Sequence, residues 1–309
     1  MKRPSKILVG MLMLAAVLLG VSAYEQHLNS QKSVIVLATT TSIHDSGLLD
    51  YLIPNFEAEY GAEVRVVLLG TGQALETAGR GDADIVLVHS RRLELEFVDS
   101  GYGIHRVGVM YNDFVIIGPE EDPAGINGLD DAAEALRRIA EEGVKGGATF
   151  ISRADRSGTH MMELSIWYKL GMKPSSKAQA WYLEASAGMG TILRMADEKK
   201  AYTLTDRATW LTFKSQLANL RVLVQGDPAL LNPYAIILVN PEKHPNRNYK
   251  GALTLAKWII SREAQELIES FRKEGEILFT PIARNFEKAH ELGFPHQEEE
   301  IAWYDSQNP

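Results

Sequence analysis

From Ser33 onward, short apolar runs alternate with longer amphipathic stretches, the pattern of parallel strands with helices on both faces of a sheet. Val34-Ile35-Val36-Leu37-Ala38 reads as a buried strand. Positions 47–60 follow as a helix whose inner face carries Leu48, Leu49, Leu52, Ile53 and Phe56. Val64 to Leu68 predicts the next strand, and Ala74 to Arg80 the next helix, entered through the flexible turn Gly70-Thr71-Gly72-Gln73. Ile85-Val86-Leu87-Val88, after Gly81-Asp82-Ala83-Asp84, predicts a third strand. A unit wound this way binds ligands at the carboxyl ends of its strands.

Phe114-Val115-Ile116-Ile117 closes at Gly118-Pro119, and Glu120-Glu121-Asp122-Pro123 is a composition break of the kind found where a chain crosses between domains. A second alternating unit follows. It has a helix over 130–142, a strand over 148–151, a helix over 158–170, a Gly-rich turn at 186–190 opening another helix, and a strand over 221–224. Ala235-Ile236-Ile237-Leu238-Val239, closed by Asn240-Pro241, resembles the first crossing, so the chain is expected to return to its first lobe. There 252–260 and 262–273 supply packing helices. The expected organisation is a lobe of 33–116 plus 236–309 and a lobe of 117–235. The last stretch, with Glu298-Glu299-Glu300, reads as a solvated tail.

The N-terminus changes the picture. Met1-Lys2-Arg3-Pro4-Ser5-Lys6 is a basic segment, Ile7 to Gly20 an apolar one, and Val21-Ser22-Ala23 a small-residue cleavage site. Positions 1–23 therefore read as a signal peptide, with an uncleaved anchor as the alternative; the apolar core is shorter than the roughly 20 residues of a spanning helix. Export to the periplasm is expected. With no cysteine in 309 residues, the chain has no disulfide, no thiolate metal site and no cysteine for a lipoprotein anchor. Its formal net charge of -8 and pI near 5.6 argue against a nucleic-acid partner. An acidic protein that binds an anion must depend on local donors.

Two turns supply such donors. Thr39-Thr40-Thr41-Ser42 and Ser152-Arg153-Ala154-Asp155-Arg156-Ser157-Gly158-Thr159 each follow an apolar run and precede a helical pattern. A helix N-terminus offers free N–H groups and partial positive charge, and hydroxyls plus an Arg fork add donors without a competing carboxylate. Helix capping explains one or two hydroxyls of the first turn, not a run of four. In the second turn, Arg153 either pairs with Asp155 or reaches the oxyanion that Ser157 and Thr159 also reach; Arg156 competes for that role. A fully deprotonated dianion such as tungstate or molybdate suits a site made of donors, whereas monohydrogen phosphate calls for an acceptor; the orientation of Asp45 and Asp155 decides how far this holds. An amino-acid ligand would need a placed carboxylate for its ammonium.

These turns also carry a resemblance. Together with Gly70-Thr71-Gly72-Gln73-Ala74-Leu75, Gly81-Asp82-Ala83-Asp84, Tyr111-Asn112-Asp113-Phe114 with Gly118-Pro119, and His160, they are similar to the tungstate-binding periplasmic proteins of ABC importers, over nearly the whole chain after the leader. The resemblance implies an α/β, two-lobed type II periplasmic binding protein fold, with doubly wound sheets joined by two crossover strands. It also implies an anion held by Thr40, Thr41 and Ser42 from one lobe and by Arg153, Ser157 and Thr159 from the other; Thr71, in the Gly70-Thr71-Gly72 turn, is a further candidate on the first lobe. The chain departs from the family pattern at Ala154, where a glycine is usual, which removes a permissive residue from the turn.

The expected function is thus capture of tungstate and its delivery to an ABC permease, by a monomer that needs no cofactor and catalyses no reaction. Molybdate, phosphate or sulfate are the alternative ligands. An exported hydrolase is the remote alternative: His44-Asp45-Ser46 has the residue types of a triad, but sequence neighbours do not converge that way and no Gly-x-Ser-x-Gly elbow is present. The eight histidines include no His-x-x-x-His pair for zinc. Trp167, Trp181, Trp210 and Trp258 read as core.

Overall fold

The computed structural model describes residues 33–273 and 275–307; the leader expected at 1–23 lies outside them. The first lobe is built on the strands β1 (Val34–Thr40), β2 (Glu63–Leu69) and β3 (Ile85–Val88), which pair in parallel in the order β2-β1-β3. Between them run the helices α1 (Thr41–Asp45), α2 (Leu48–Tyr60) and α3 (Thr71–Gly79). Leu48, Leu49, Leu52 and Phe56 are the buried face of α2, as the 3.6-residue spacing predicts; Ile53 is only partly buried, packed against the same core. Asp84 locks this lobe: its carboxylate accepts the N–H of Val36 at 2.7 Å and that of Asn248 at 2.8 Å.

Helix α4 (Arg91–Asp99) leads into β4 (Gly103–Pro119), a strand of 17 residues that belongs to two sheets. Through Asp113 it pairs antiparallel with β9 (Leu231–Val239), whose far edge pairs with β3. From Phe114 it pairs with β7 (Thr203–Asp206) and β8 (Leu220–Val224). The change of partner is clamped where it happens, because Arg207 forks onto Asp113 with bonds of 2.7 and 2.6 Å. β4 and β9 are the two crossings that join the lobes of this α/β fold.

The second lobe contains α5 (Ala132–Val144), β5 (Phe150–Ser152), α6 (Gly158–Lys169), β6 (Tyr182–Glu184), α7 (Met189–Lys199) and α8 (Arg207–Phe213). β5 and β6 pair in parallel. Trp167 is fully buried, with ring centroids 5.7 Å from Phe150 and 5.8 Å from Trp181. Trp210 and Trp258 are buried too, so the four tryptophans expected in the core are there. Helices α9 (Tyr249–Ile259) and α10 (Arg262–Ser270) return to the first lobe and pack as the sequence predicts.

The expectation of a solvated tail is wrong. After β10 (Arg272–Lys273), β11 (Glu276–Ile277), β12 (Thr280–Pro281) and α11 (Phe286–Glu291), residues Gln297–Ser306 form a docked helix, α12. Gln297, Ile301 and Tyr304 lie at helical spacing and are buried against β4, while Glu298 and Glu299 occupy the opposite, exposed face. The charge run marks one side of the helix, and Ile301 and Tyr304 mark the other. Gln297 ties the helix down: Oε1 accepts Gly108 N–H at 2.8 Å, and Nε2 donates to the carbonyls of Gly108 at 2.8 Å and Ala283 at 3.1 Å. Removing that amide strands three buried backbone groups, so Gln297→Ala is expected to lower unfolding free energy by about 2–4 kcal/mol. Urea denaturation measures it; a loss under about 1 kcal/mol means the tail is dispensable.

Candidate anion-binding site

β1 ends in four hydroxyl residues whose fates differ. Thr39 Oγ1 donates to Leu87 O at 2.7 Å and so belongs to the sheet. Thr40 and Ser42 are buried, with hydroxyls 3.1 Å apart, and Thr41 is partly exposed. α1 begins at this turn with no side-chain cap, and α3 begins at Gly70-Thr71 with none either, so the first N–H groups of both helices keep their donor capacity. Thr71 is fully buried, and its Oγ1 finds no partner among the described residues.

From the second lobe, β5 delivers the loop to α6. Arg153 is only 6% exposed, and Nε and Nη2 donate to Asp155 Oδ2 at 3.0 and 2.5 Å. Asp155 Oδ1 accepts Ser157 N–H at 3.0 Å, and Ser157 caps α6 by accepting from His160 N at 3.3 Å. The pairing of Arg153 with Asp155 therefore exists, but in the interior: it fixes the loop and leaves the guanidinium facing the cleft groups. Thr159 is buried, and its Oγ1 also has no partner among the described residues. Arg156 lies outside this group, largely exposed and 3.7 Å from Glu76 across the lobes. His160 Nδ1 accepts Arg156 N–H at 2.9 Å and so serves the loop.

The two clusters meet. A Cβ placed on Gly70 would lie 3.8 Å from Ser157 Cα, and one on Gly72 3.7 Å from Arg156 O. The Arg153 charge is felt from both sides: it helps hold down the pKa values of Asp45 and Asp206 and that of His89. In each case burial is the larger cause, raising the two carboxyls and lowering the His89 ring to about 4. Asp206 caps α8 and has both oxygens engaged, by Thr209 N at 2.8 Å and Thr209 Oγ1 at 2.7 Å.

Sequence reading missed the polar chain behind the first turn. His89 at the end of β3 reaches Ser42 Oγ through Nε2 at 3.3 Å and Asn232 Oδ1 through Nδ1 at 2.9 Å; Asn232 Nδ2 donates to Asn112 Oδ1 at 2.7 Å. Asn112 and Asn232 are register partners on the crossing strands. Only their shared context could have revealed them: an isolated Asn within an apolar run demands a buried partner.

Other chemistry is not assembled. His44 is exposed and Ser46 Oγ donates to Ile43 O at 2.6 Å, so His44-Asp45-Ser46 is no relay. Among the described residues no group of three or more His, Cys, Asp or Glu side chains could hold a metal ion. A cavity of about 830 Å³ beside Gly158 is walled largely by apolar groups such as Phe114, Met161, Met162 and Leu231, with Arg91, Arg92 and Lys169 also in its lining.

The loop stores strain where the sequence departs from glycine. Ala154 has φ 49° and Arg156 φ 60°, in the left-handed region that costs an L-residue about 1–2 kcal/mol. Behind Arg153, Glu163 is buried and accepts from Ser152 Oγ at 2.7 Å, Tyr182 Oη at 2.6 Å and Trp167 Nε1 at 3.1 Å. Burial pushes its carboxyl up to about 7 against these bonds.

A family model described as a PBP superfamily domain matches residues 26–263. The tungstate-binding protein TupA of Peptoclostridium acidaminophilum is 45% identical over 292 residues, covering 92% of this chain and 99% of that protein. Among solved structures, the tungstate-binding protein TupA from Desulfovibrio alaskensis G20 is 42% identical with a TM-score of 0.70, covering 81% of this chain and 98% of that one. The tungstate ABC transporter structure from Geobacter sulfurreducens is 47% identical with a TM-score of 0.69, covering 77% and 98%.

Two outcomes are expected. Ala154→Gly relieves the left-handed strain but frees the unfolded chain, for a net gain of about 0.5–1 kcal/mol by calorimetric melting; a loss shows the turn unstrained. A carboxyl whose folded pKa is raised adds stability fully present below its ordinary pKa of 4.5 and lost as pH rises through about 7. Wild type should therefore lose stability between these values by a few kcal/mol relative to Glu163→Gln, and parallel stability curves in chemical denaturation from pH 4.5 to 8 refute this.

Proposed function

This chain belongs to the PBP superfamily, and we propose that it captures tungstate in the cleft between its lobes and hands it to the permease of an ABC importer. The observation that carries the proposal is the pair of buried hydroxyls, Thr71 Oγ1 and Thr159 Oγ1, one per lobe and each without an acceptor among the described residues. Beside them stands the nearly buried Arg153 guanidinium. An anion supplies the acceptors these donors lack.

In this reading Thr40, Thr41, Ser42 and Thr71 bind from the lobe of 33–116 and 236–309, and Arg153, Ser157 and Thr159 from the lobe of 117–235. Free N–H groups at the helix starts add to them. Two of the nearby carboxylates are engaged, Asp155 by Arg153 and Ser157 and Asp206 by Thr209, while Asp45 is half-buried and burial raises its pKa. A dianion without protons accepts from every donor of such a cleft, whereas a protonated phosphate also needs an acceptor for its own proton. Tungstate is chosen over molybdate because the relatives above bear its name. Their place in importers supports action outside the cytoplasm. No helix among the described residues is long and apolar enough to cross a membrane. Export by the leader, a monomeric state and closure by hinge motion at the two crossings complete the proposal. No reaction is assigned to the site.

Calorimetry with tungstate, molybdate, sulfate and phosphate tests the ligand: tungstate is expected to bind most tightly, and tight phosphate binding without tungstate heat overturns the assignment. Arg153→Ala should weaken tungstate binding by about 1.5–3 kcal/mol, the worth of a charged hydrogen bond; unchanged affinity moves the role elsewhere. Thr159→Val removes a donor that has no partner, so the unliganded protein should melt no lower than wild type while tungstate binds about tenfold more weakly.

A further inference from the structure

We propose that His89 is the stop against which the second lobe closes, and that with Gly158 it sets the width of the anion cleft. This rests on the cleft being the binding site. The His89 ring is buried and held on three sides. Nδ1 bonds Asn232 on β9 at 2.9 Å, Nε2 bonds Ser42 at 3.3 Å, and one face lies on Tyr234 with ring centroids 4.7 Å apart. Turning or sliding the ring breaks at least one buried hydrogen bond, so it does not yield to pressure.

The remaining edge faces α6. A Cβ at position 158 would lie 2.4 Å from His89 Cε1, 2.5 Å from Nδ1 and 2.8 Å from the His89 carbonyl oxygen. Ring edge and backbone both stand in its way, so the start of α6 approaches as closely as atoms allow and does so only because residue 158 has no side chain. The neutral ring also tolerates the positive end of the helix, which an imidazolium would repel. Gly158 lies between Ser157 and Thr159, so the contact that fixes its Cα fixes both candidate donors relative to Ser42, itself bonded to the same ring. The separation of the two donor sets is thus built into the protein. A cleft that stops at a fixed width holds a large tetrahedral oxyanion and leaves the shorter reach of sulfate or phosphate unsatisfied, which makes His89 and Gly158 specificity-determining positions.

The test is a double-variant cycle read by calorimetry with sodium tungstate and sodium sulfate. Gly158→Ala should weaken tungstate binding at least tenfold and narrow the preference for tungstate over sulfate. Its unliganded melting temperature should change little, because the lobes part at the crossings to make room for the methyl. His89→Ser alone should weaken binding, yet in the Gly158→Ala background it should restore affinity at least threefold by making room for the new methyl. Additive losses overturn the proposal, as does a crystal structure of Gly158→Ala in which Gly70 and Ser157 stay as close as before. If wild type binds no oxyanion, the binding-site reading fails, and that crystal structure still judges the stop.

Discussion

A buried donor without an acceptor costs about 1–3 kcal/mol, and among the described residues Thr71 Oγ1 and Thr159 Oγ1 are such hydroxyls, one on each side of the place where the lobes meet. The helix starts at α1 and α3 remain without side-chain caps. A protein that left these groups unsatisfied for no gain would be less stable than one with valine in their place. An anion that accepted from both lobes at once would convert the deficit into binding energy, because neither lobe alone offers the full set of donors. Burial strengthens the effect by removing competing water.

The architecture behind the cleft ties the two lobes together. β4 and β9 each run through the boundary between lobes, and the asparagines paired across them, Asn112 and Asn232, hold the ring that in turn holds Ser42. The crossing strands and the hydroxyl turn are therefore parts of one hydrogen-bonded unit. The Arg207–Asp113 fork sits at the switch of sheets, where bending would otherwise open the backbone ladder. Two carboxylates near the cleft have structural roles in this acidic protein: Asp155 stiffens the Arg153 loop, and Asp206 caps a helix.

Much of this was legible in the residues. Periodicity located most strands and helices, since a strand buried on both faces and an amphipathic helix leave distinct hydrophobic patterns. The run of four hydroxyls exceeded what a cap requires, and the turns at Arg153 and Ser157 stood at a strand end and a helix start, which is where donors collect. The charged run at Glu298 misled because charge was read without the spacing of Ile301 and Tyr304, whose burial depends on a distant strand. His89 gave no signal at all, being one histidine among eight.

The sequence by itself determined the α/β alternation, the two crossings and the chemical character of the two turns, because these follow from local spacing and side-chain type. Tertiary structure decided which hydroxyl does what. Thr39 joins the sheet, Thr40 and Ser42 join the chain to His89, and Thr71 and Thr159 are left without partners among the described residues. It also placed Arg153 inside and Arg156 outside, although they stand three positions apart. Such assignments depend on distances between segments remote in the chain, and no local pattern encodes them.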